Sequence, residues 1–253
     1  MTPQSIAALA KLAAAAIVML AGVANAAEIR VIGSVGTRQA YNQLVPAFEK
    51  ATGHTVTTAW SGVNDVAKRV ADGETADVVM LPALQIDGLV KQGKIVPDSR
   101  VDVATCGIGV VVRAGAPKID VGSADGIRKA LLAAKSFAYS AGPSGVHMEN
   151  VLRQWGIYDQ VKSKIVPPRP NVPIGVMVAA GEAEIGFQQV SELLPVKGVD
   201  YLGPLPADIQ EATVFSAGVH SAATAAEAGR ALLRFLTAPE AAPVIRKTGM
   251  EPG

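Results

Sequence analysis

Residues 28–48 read EIRVIGSVGTRQAYNQLVPAF, and this stretch decides the fold. Polar and apolar residues alternate over residues 28–32, which is the pattern of a β-strand. Glycines interrupt the pattern at residues 33–36, and apolar side chains then recur at helical spacing from Tyr41 to Phe48. A strand, a tight loop and a helix in this order make up one unit of an α/β sheet.

Two further units of the same kind follow directly. Strands are predicted at residues 55–60 and 77–81, and each is followed by a helical pattern. The continuous apolar character of the second strand is typical of a strand that is buried on both faces. Three strand–helix units in succession imply a parallel sheet.

A second alternating set runs from residue 107 to residue 189 and includes a short predicted strand at 164–166. A returning strand at 213–219 then precedes an alanine-rich helix at 223–236. This number of elements suits two modest lobes better than one large sheet. We therefore predict an α/β fold of two lobes, each a mainly parallel sheet flanked by helices.

The composition excludes several classes of protein. A chain of 253 residues with 49% hydrophobic side chains can bury a large core without an external staple. Lysine and arginine number 23 against 22 acidic residues, so no basic excess is present to bind a nucleic acid. Cys106 is the single cysteine, which excludes an internal disulfide, and its apolar surroundings predict a buried structural thiol.

Residues 1–26 have the features of a secretory signal peptide. Lys11 precedes an apolar run that is too short to span a membrane, and Ala24-Asn25-Ala26 places small residues before the expected cleavage site. We therefore expect export to the periplasm, with an N-terminal membrane anchor as the alternative. These residues contain one basic and no acidic side chain, so the remaining chain balances at 22 of each charge.

Three loops at predicted strand–helix junctions combine glycine with serine or threonine. Free backbone N–H groups, hydroxyls and the positive ends of helix dipoles together suit an anion, whereas simple helix capping is the alternative for any one loop. A fourth loop adds two glutamine amides. The candidate ligand-binding residues in these loops are Ser34, Thr37, Arg38, Ser61, Gly62, Ser144, Gly145, His147, Gln188 and Gln189.

Two of these residues can carry a positive charge or transfer a proton. Arg38 stands in the first turn of its predicted helix, where its guanidinium could pair bidentately with a carboxylate. His147 follows Ser144-Gly145 at the start of another helix, where it could donate to an anion or carry a proton. An outward-facing arginine and a partly exposed histidine are the alternatives.

Other chemistries find no support in the sequence. Residues 33–38 lack the Lys-Ser/Thr ending of a phosphate loop, and Ile32 replaces the first glycine of a nucleophile elbow. The three histidines, His54, His147 and His220, are not spaced as metal ligands. We therefore expect no metal, no cofactor and no serine hydrolase site.

The chain resembles the periplasmic molybdate-binding protein family, a group of two-lobed type 2 solute-binding proteins, over essentially all of the sequence after residue 26. The segments that carry the resemblance are Gly33-Ser34, Trp60-Ser61-Gly62, Ala76-Asp77-Val78-Val79, Gly181-Glu182-Ala183-Glu184-Ile185-Gly186, Arg234-Phe235-Leu236 and Pro239-Glu240-Ala241-Ala242.

This resemblance implies a cleft between a first lobe at residues 27–104 and 203–253 and a second lobe at residues 105–202. It also implies a monomer that captures a small anion in the periplasm for the membrane permease of an ABC-type transporter. By motif, Ser34 and Ser61 match two ligand serines of the family, Ser144-Gly145 falls near a third contact, and Val172 matches a fourth.

Two departures from the family pattern favour a carboxylate over molybdate. Gln189 stands where the family has a ligand tyrosine, and Arg38 adds a charge that suits planar carboxylates. The resemblance also extends to a divergent branch with periplasmic aconitate isomerase. An isomerase acting on a tricarboxylate is therefore the alternative function, with His147 as its base. Glu149 and Glu192 are the nearest acidic candidates, and both are expected at helix surfaces.

Overall fold

The computed structural model describes residues 26–170 and 172–253, which form two lobes with one β-sheet each. The predicted signal peptide, apart from its last residue, lies outside the described residues, as does Asn171. The first sheet takes its strands from both ends of the described chain, and the second takes its strands from the middle. No helix in these ranges is long and apolar enough to cross a membrane.

The first sheet has six strands in the spatial order β10-β4-β9-β3-β1-β2. Numbered along the chain, they are β1 (Glu28–Ser34), β2 (Thr55–Ser61), β3 (Val78–Pro82), β4 (Val101–Cys106), β9 (Thr213–Val219) and β10 (Glu251–Pro252). β1 lies between β2 and β3 and runs parallel to both, as the opening units predict. β9 runs antiparallel to β3 and β4, and β10 runs antiparallel to β4.

The second sheet has four strands in the spatial order β6-β7-β5-β8. They are β5 (Ile108–Arg113), β6 (Phe137–Tyr139), β7 (Ile185–Gln189) and β8 (Val199–Pro204). β7 runs parallel to β6 and antiparallel to β5, and β5 runs antiparallel to β8.

Helices connect the strands and pack against the two sheets. They are α1 (Arg38–Thr52), α2 (Val63–Ala71), α3 (Ala83–Lys91), α4 (Ala124–Ala133), α5 (Pro143–Gln154), α6 (Tyr158–Val161), α7 (Ile174–Ala179), α8 (Val190–Leu193), α9 (Ala226–Leu236) and α10 (Ala242–Lys247). Separate apolar clusters lie on the two faces of each sheet, so both sheets are covered on both sides.

The two-lobed α/β fold is confirmed, but the sheets are mixed where the sequence predicts mainly parallel ones. The reason lies in the strands that carry the chain between the lobes. β5 and β9 begin at the edge where the lobes meet, whereas β3 and β7 end at that edge. A strand that starts where its neighbours end must run antiparallel to them.

Two local predictions are also wrong. The segment predicted as a strand at 164–166 contains the end of a 3-10 turn, Lys162–Lys164, and a single bridge from Ile165 to Phe137. The helix expected to start at His147 begins at Pro143. Proline is favoured at the first helical position because its missing N–H needs no partner there.

Gly33 and Gly36 are required by close packing at the end of β1. A Cβ atom on Gly33 would lie 2.8 Å from Cζ3 of Trp60, whose ring crosses the strand end. A Cβ atom on Gly36 would overlap the ring of Phe215 on β9. The loop after β1 is therefore held against its neighbours at both glycines.

The chain crosses between the lobes twice. Gly107 alone joins β4 to β5, and residues 205–212 join β8 to β9. The side chain of Gln210 links these two crossovers, because its Oε1 accepts from the Ile108 N–H at 2.8 Å and its Nε2 donates to the Ile108 carbonyl at 2.9 Å. The two crossovers consequently lie side by side.

Asp77, directly before β3, ties the first sheet to the start of α9. It is 1% exposed, and its carboxylate accepts hydrogen bonds from the N–H groups of Arg30, Thr224 and Ala225, each at 2.8 Å. Burial acts to raise the pKa of Asp77, but these backbone hydrogen bonds hold it below its ordinary value. The ionised carboxylate therefore stabilises the fold.

We expect Asp77→Asn to lower the free energy of unfolding by about 2–4 kcal/mol at pH 7, because hydrogen bonds to a charged acceptor are each worth about 1.5–3 kcal/mol. The measurement is urea-induced unfolding of the protein. Asp159→Asn is the matched control, since Asp159 pairs with Lys162 on an exposed surface, and it should change stability little.

The stability difference between wild type and Asp77→Asn should shrink as the pH falls below about 4, the ordinary aspartate range. A depressed pKa contributes stability that is present above the unfolded-state pKa and is lost as the carboxylate becomes protonated in the folded state. A difference that stays constant down to pH 3 would contradict this account of Asp77.

Candidate functional site

A cleft of about 980 Å³ lies between the two lobes. In open α/β sheets, ligands bind beyond the carboxyl ends of strands. The first lobe contributes the loops after β1 and β2, and the second contributes the segments after β6, before α7 and after β7. The polar and charged residues on its walls are Arg38, Gln39, Ser61, Asn64, Asp65, Ser140, Ser144, Arg169, Gln188, Gln189, Ser191, Glu192 and Lys197.

The first lobe presents Arg38, Ser61 and Gly62 to this cleft. Arg38 is the first residue of α1, so its charge adds to the positive end of the helix dipole. Ser61 ends β2, and its hydroxyl donates to Asp65 on α2. The pKa of Asp65 is held low first by this hydrogen bond and then by that of Arg69.

Ser34 is a buried hydroxyl at the base of the same wall. It ends β1, is 0% exposed, and its Oγ has no hydrogen-bond partner among the described residues. The next two residues, Val35 and Gly36, line the cleft. Because an unpaired buried hydroxyl costs about 1–3 kcal/mol, Ser34 is a group that a ligand oxygen could satisfy.

The second lobe presents hydroxyls at the start of α5. Ser144 lies in the first turn of that helix, and its Oγ is 2.8 Å from Oγ of Ser140. Ser140 Oγ also accepts from the Gly142 N–H at 3.2 Å. Val172 lines the cleft just before α7. This wall therefore offers neutral donors and helix starts, which suit an anion.

Gln188 and Glu192 form a hydrogen-bonded pair in the wall of the second lobe. The Ile174 N–H donates to Oε1 of Gln188 at 2.8 Å, and Nε2 of Gln188 donates to Oε2 of Glu192 at 2.7 Å. Burial raises the pKa of Glu192 to about 7, although the charge of Arg38 and the Gln188 hydrogen bond act in the opposite direction. The cleft thus contains a carboxyl group that is partly ionised near neutral pH.

Gln189 borders the cleft, but its amide group is hydrogen-bonded to residues at the two crossovers. Its nitrogen donates to the carbonyls of Cys106 at 3.0 Å and Gly107 at 3.2 Å, and its oxygen accepts from Oγ1 of Thr213 at 2.8 Å. Ser191, two residues later, donates to the Gly36 carbonyl of the first lobe at 2.7 Å. These side chains hold the lobes together.

Four of the residues selected from the sequence are not part of the cleft walls: Ser34, described above, and Thr37, Gly145 and His147. Thr37 is buried, with Oγ1 3.5 Å from the Ser34 carbonyl. Gly145 packs so closely on the Ser140 carbonyl that a Cβ atom would overlap it. The Gly145 N–H donates to the Gly142 carbonyl at 3.0 Å, so this backbone donor already has a partner.

His147, the residue expected to act as a base, also lies outside the cleft walls. Its Nε2 is 2.7 Å from the Ile209 carbonyl and its Nδ1 is 2.6 Å from the Glu211 carboxylate. Both partners belong to the second crossover. His147 is the fifth residue of α5, and its ring packs against that crossover and not in the cleft wall.

Sequence reasoning missed the position of Glu192, Ser140, Arg169 and Lys197. Glu192 is expected at a helix surface, but α8 is a single turn packed between the lobes, so that surface is the cleft wall. The sequence position of Glu192 could have indicated this, because it lies three residues after the end of β7, at the edge of the sheet where ligands bind. The described residues contain no group of three histidine, cysteine, aspartate or glutamate side chains that could hold a metal ion.

Comparisons with known proteins are consistent across sequence and structure. The chain is 37% identical to an aconitate isomerase from Pseudomonas sp over 232 residues, covering 88% of this chain and 87% of that protein. It is 27% identical to the molybdate-binding protein ModA of Rhodobacter capsulatus over 209 residues, covering 80% of this chain and 79% of that protein.

Among solved structures, the periplasmic molybdate-binding protein of Azotobacter vinelandii superposes with a TM-score of 0.75 at 21% identity, covering 89% of this chain and 99% of that one. This similarity shows a shared two-lobed fold. The family model described as bacterial extracellular solute-binding protein matches residues 29–251, which is nearly the whole described chain. The chain therefore belongs to the bacterial extracellular solute-binding protein family.

Proposed function

We propose that the cleft binds a small organic anion with two or three carboxylates. The observation that carries this proposal is the position of Arg38, at the N-terminal end of α1 and in the cleft wall. A guanidinium there can pair bidentately with one carboxylate. The backbone at Gly62 and Ser144 on the opposite wall can receive another, and the Ser61 hydroxyl can do so by releasing Asp65.

The charges of the cleft support a carboxylate over a tetrahedral metal oxyanion. Arg38 and Lys197 supply positive charge, Arg169 is paired with Glu182 at 2.8 Å, and Asp65 and Glu192 supply negative charge. Because the charge of Arg38 acts directly on Glu192, a compact dianion held at Arg38 would also lie near the Glu192 carboxylate and be repelled by it. An extended polycarboxylate can place its charged groups on the cations and leave an uncharged carbon beside Glu192.

Delivery of this anion to the permease of an ABC-type transporter is the role that follows from the family. The family is one of extracellular solute-binding proteins, which places its members outside the cytoplasmic membrane. Residues 1–26 would then supply the export signal, with the remaining chain acting as a monomer in the periplasm.

A second candidate function is the isomerisation of a small carboxylate such as aconitate. Two observations favour it: the 37% identity to an aconitate isomerase over most of both chains, and a carboxyl group of raised pKa in the cleft wall. Moving a double bond by one position needs only a group that removes and returns a proton. Binding for transport and isomerisation would use the same cleft.

Ligand binding should appear as thermal stabilisation. At a concentration of about 100 Kd, the correct anion adds about 2.7 kcal/mol of stability, which raises Tm by about 5–10 °C in a chain of this size. A panel of molybdate, tungstate, sulfate, citrate, cis-aconitate and trans-aconitate should give stabilisation only with the carboxylates. Stabilisation by molybdate alone would contradict the proposal.

Arg38→Gln should weaken binding of the stabilising carboxylate by about 10- to 100-fold, because it removes a charged hydrogen-bonding partner. Isothermal titration calorimetry gives the Kd of each variant. Arg128→Gln, on the exposed face of α4, is the control and should bind as the wild type does. Equal affinities of Arg38→Gln and wild type would show that Arg38 does not bind the ligand.

The isomerase candidate is tested by incubating the protein with trans-aconitate in deuterated water and recording proton NMR spectra. Isomerisation should produce the cis isomer and exchange the methylene hydrogens for deuterium, because the abstracted proton mixes with solvent. A spectrum that stays unchanged while the ligand raises Tm would leave binding as the function and discard isomerisation of aconitate.

A further inference from the structure

We propose that Glu192 is the catalytic residue of this cleft: its carboxylate removes a proton from the methylene carbon of a bound polycarboxylate and returns it to the far carbon of the adjacent double bond. This inference rests on the isomerase candidate above and assigns its proton-transfer step to one side chain.

The position of Glu192 gives it access to a ligand. It lies in the first turn of α8, directly after β7, and its side chain forms part of the cleft wall. Residues on either side of it are fixed: Ser191 donates to the Gly36 carbonyl, and Leu193 is fully buried. The backbone that carries Glu192 is therefore held against both lobes.

The orientation of the carboxylate is set by Gln188. The Ile174 N–H can donate only to an oxygen, so it fixes which end of the Gln188 amide faces α7. The NH₂ group must then face Glu192, and it donates to Oε2 at 2.7 Å. Oε1 of Glu192 has no hydrogen bond to the described residues, which leaves it available to take a proton. Gln188 is accordingly a positioning residue.

The charges around Glu192 make it a usable base near neutral pH. Burial raises its pKa to about 7, where a general base is both substantially ionised and basic enough to act. The charged groups that share the cleft wall with it are Arg38, Asp65, Arg169 and Lys197. Behind it, Cys106 is a buried thiol whose pKa is raised, first by burial.

The proposed step balances without an oxidant or a cofactor. When the methylene C–H bond breaks, the proton moves to Glu192 and the electron pair spreads over the three allylic carbons and the adjoining carboxylates. The carbon–carbon bond that was double gains single-bond character and can rotate. Glu192 then delivers its proton to the other terminal carbon, a new C–H bond forms, and the carboxylate is regenerated. Arg38 would stabilise the charge that builds up on a substrate carboxylate.

Other candidate bases among the described residues are placed less well. His147 is bonded to Ile209 and Glu211 outside the cleft walls. Asp65 lines the cleft, but its pKa is lowered by hydrogen bonds from Ser61 and Arg69, which makes it a weaker base. Glu149 is paired with Arg153 on α5. Glu192 is the carboxyl group that combines access, orientation and basicity.

The test compares wild type with Glu192→Gln, a variant of nearly the same shape that keeps the contact with Gln188 and cannot accept the proton. Deuterium exchange into trans-aconitate should be at least about 100-fold slower in Glu192→Gln. The rise in Tm with trans-aconitate should persist in that variant, which shows that the cleft still folds and binds. Glu192→Asp should exchange at an intermediate rate.

Glu149→Gln is the matched control, since it changes an exposed glutamate outside the cleft walls and should exchange as wild type does. Exchange at the wild-type rate in Glu192→Gln would overturn the assignment of Glu192 and leave isomerisation intact. Binding without any exchange in wild type would instead overturn isomerisation itself, and the role of Glu192 with it.

The pH profile supplies an independent readout. Because the reactive form of Glu192 is ionised, kcat/KM of the wild type should fall about tenfold per pH unit below a pH of about 7 and level off above it. Glu149→Gln should keep the same profile. A wild-type rate that is constant between pH 5 and pH 8 would show that a group other than Glu192 transfers the proton.

Discussion

The cleft exists because two chain crossings are held side by side. Gln210 on the second crossover bonds both the N–H and the carbonyl of Ile108, the first residue of β5 directly after Gly107, so a shift of either crossover would break these hydrogen bonds. Gln189 binds the carbonyls of Cys106 and Gly107 and the hydroxyl of Thr213, which adds the end of β7 to the same junction. β1, β2 and β7 end at the sheet edges that face the cleft, so the relative position of the two walls depends on this junction. A shift of one crossover would move Arg38 on one lobe relative to Glu192 on the other.

The polar residues at the end of β7 and in α8 form two groups: one pair holds the lobes together, and the other pair faces the cleft. Gln189 and Ser191 bond to the crossovers and to the first lobe, whereas Gln188 and Glu192 bond to each other in the wall of the second lobe. Alternation along the strand places Gln188 and Gln189 on opposite faces, and the single turn of α8 then separates Ser191 from Glu192. Four polar residues within five positions therefore serve two purposes without competing for the same partners. The hydrogen bonds of the first pair keep α8 in place, and that placement keeps the second pair in the cleft.

The fold could be predicted from the sequence because its strands and helices have strong local signals. The opening unit, the buried strand that follows Asp77 and the helix with Leu232 and Leu233 all appear where their patterns indicate. The parallel direction of β1, β2 and β3 could be predicted, but the antiparallel direction of β5 and β9 could not, since it depends on which strands begin at the junction between the lobes. The same limit applies to the site. Loop composition indicates segments that reach the cleft, but it cannot indicate which side chains face it. His147 packs against the second crossover and Glu192 lies in the cleft wall, and both positions depend on contacts between distant parts of the chain.

Binding and proton transfer make opposite demands on a carboxyl group in an anion site. A ligand carboxylate binds best when Glu192 is protonated, since a charged neighbour repels it, whereas proton abstraction requires Glu192 to be ionised. The balance of burial against Arg38 and Gln188 places its pKa at about 7, between these demands. An elongated substrate relieves the conflict further, because its charged ends can lie on cations while the reacting carbon lies beside Glu192. A compact oxyanion has no uncharged part to place there. Under the proposed function, Glu192 thus makes this cleft better suited to a polycarboxylate than to a tetrahedral anion.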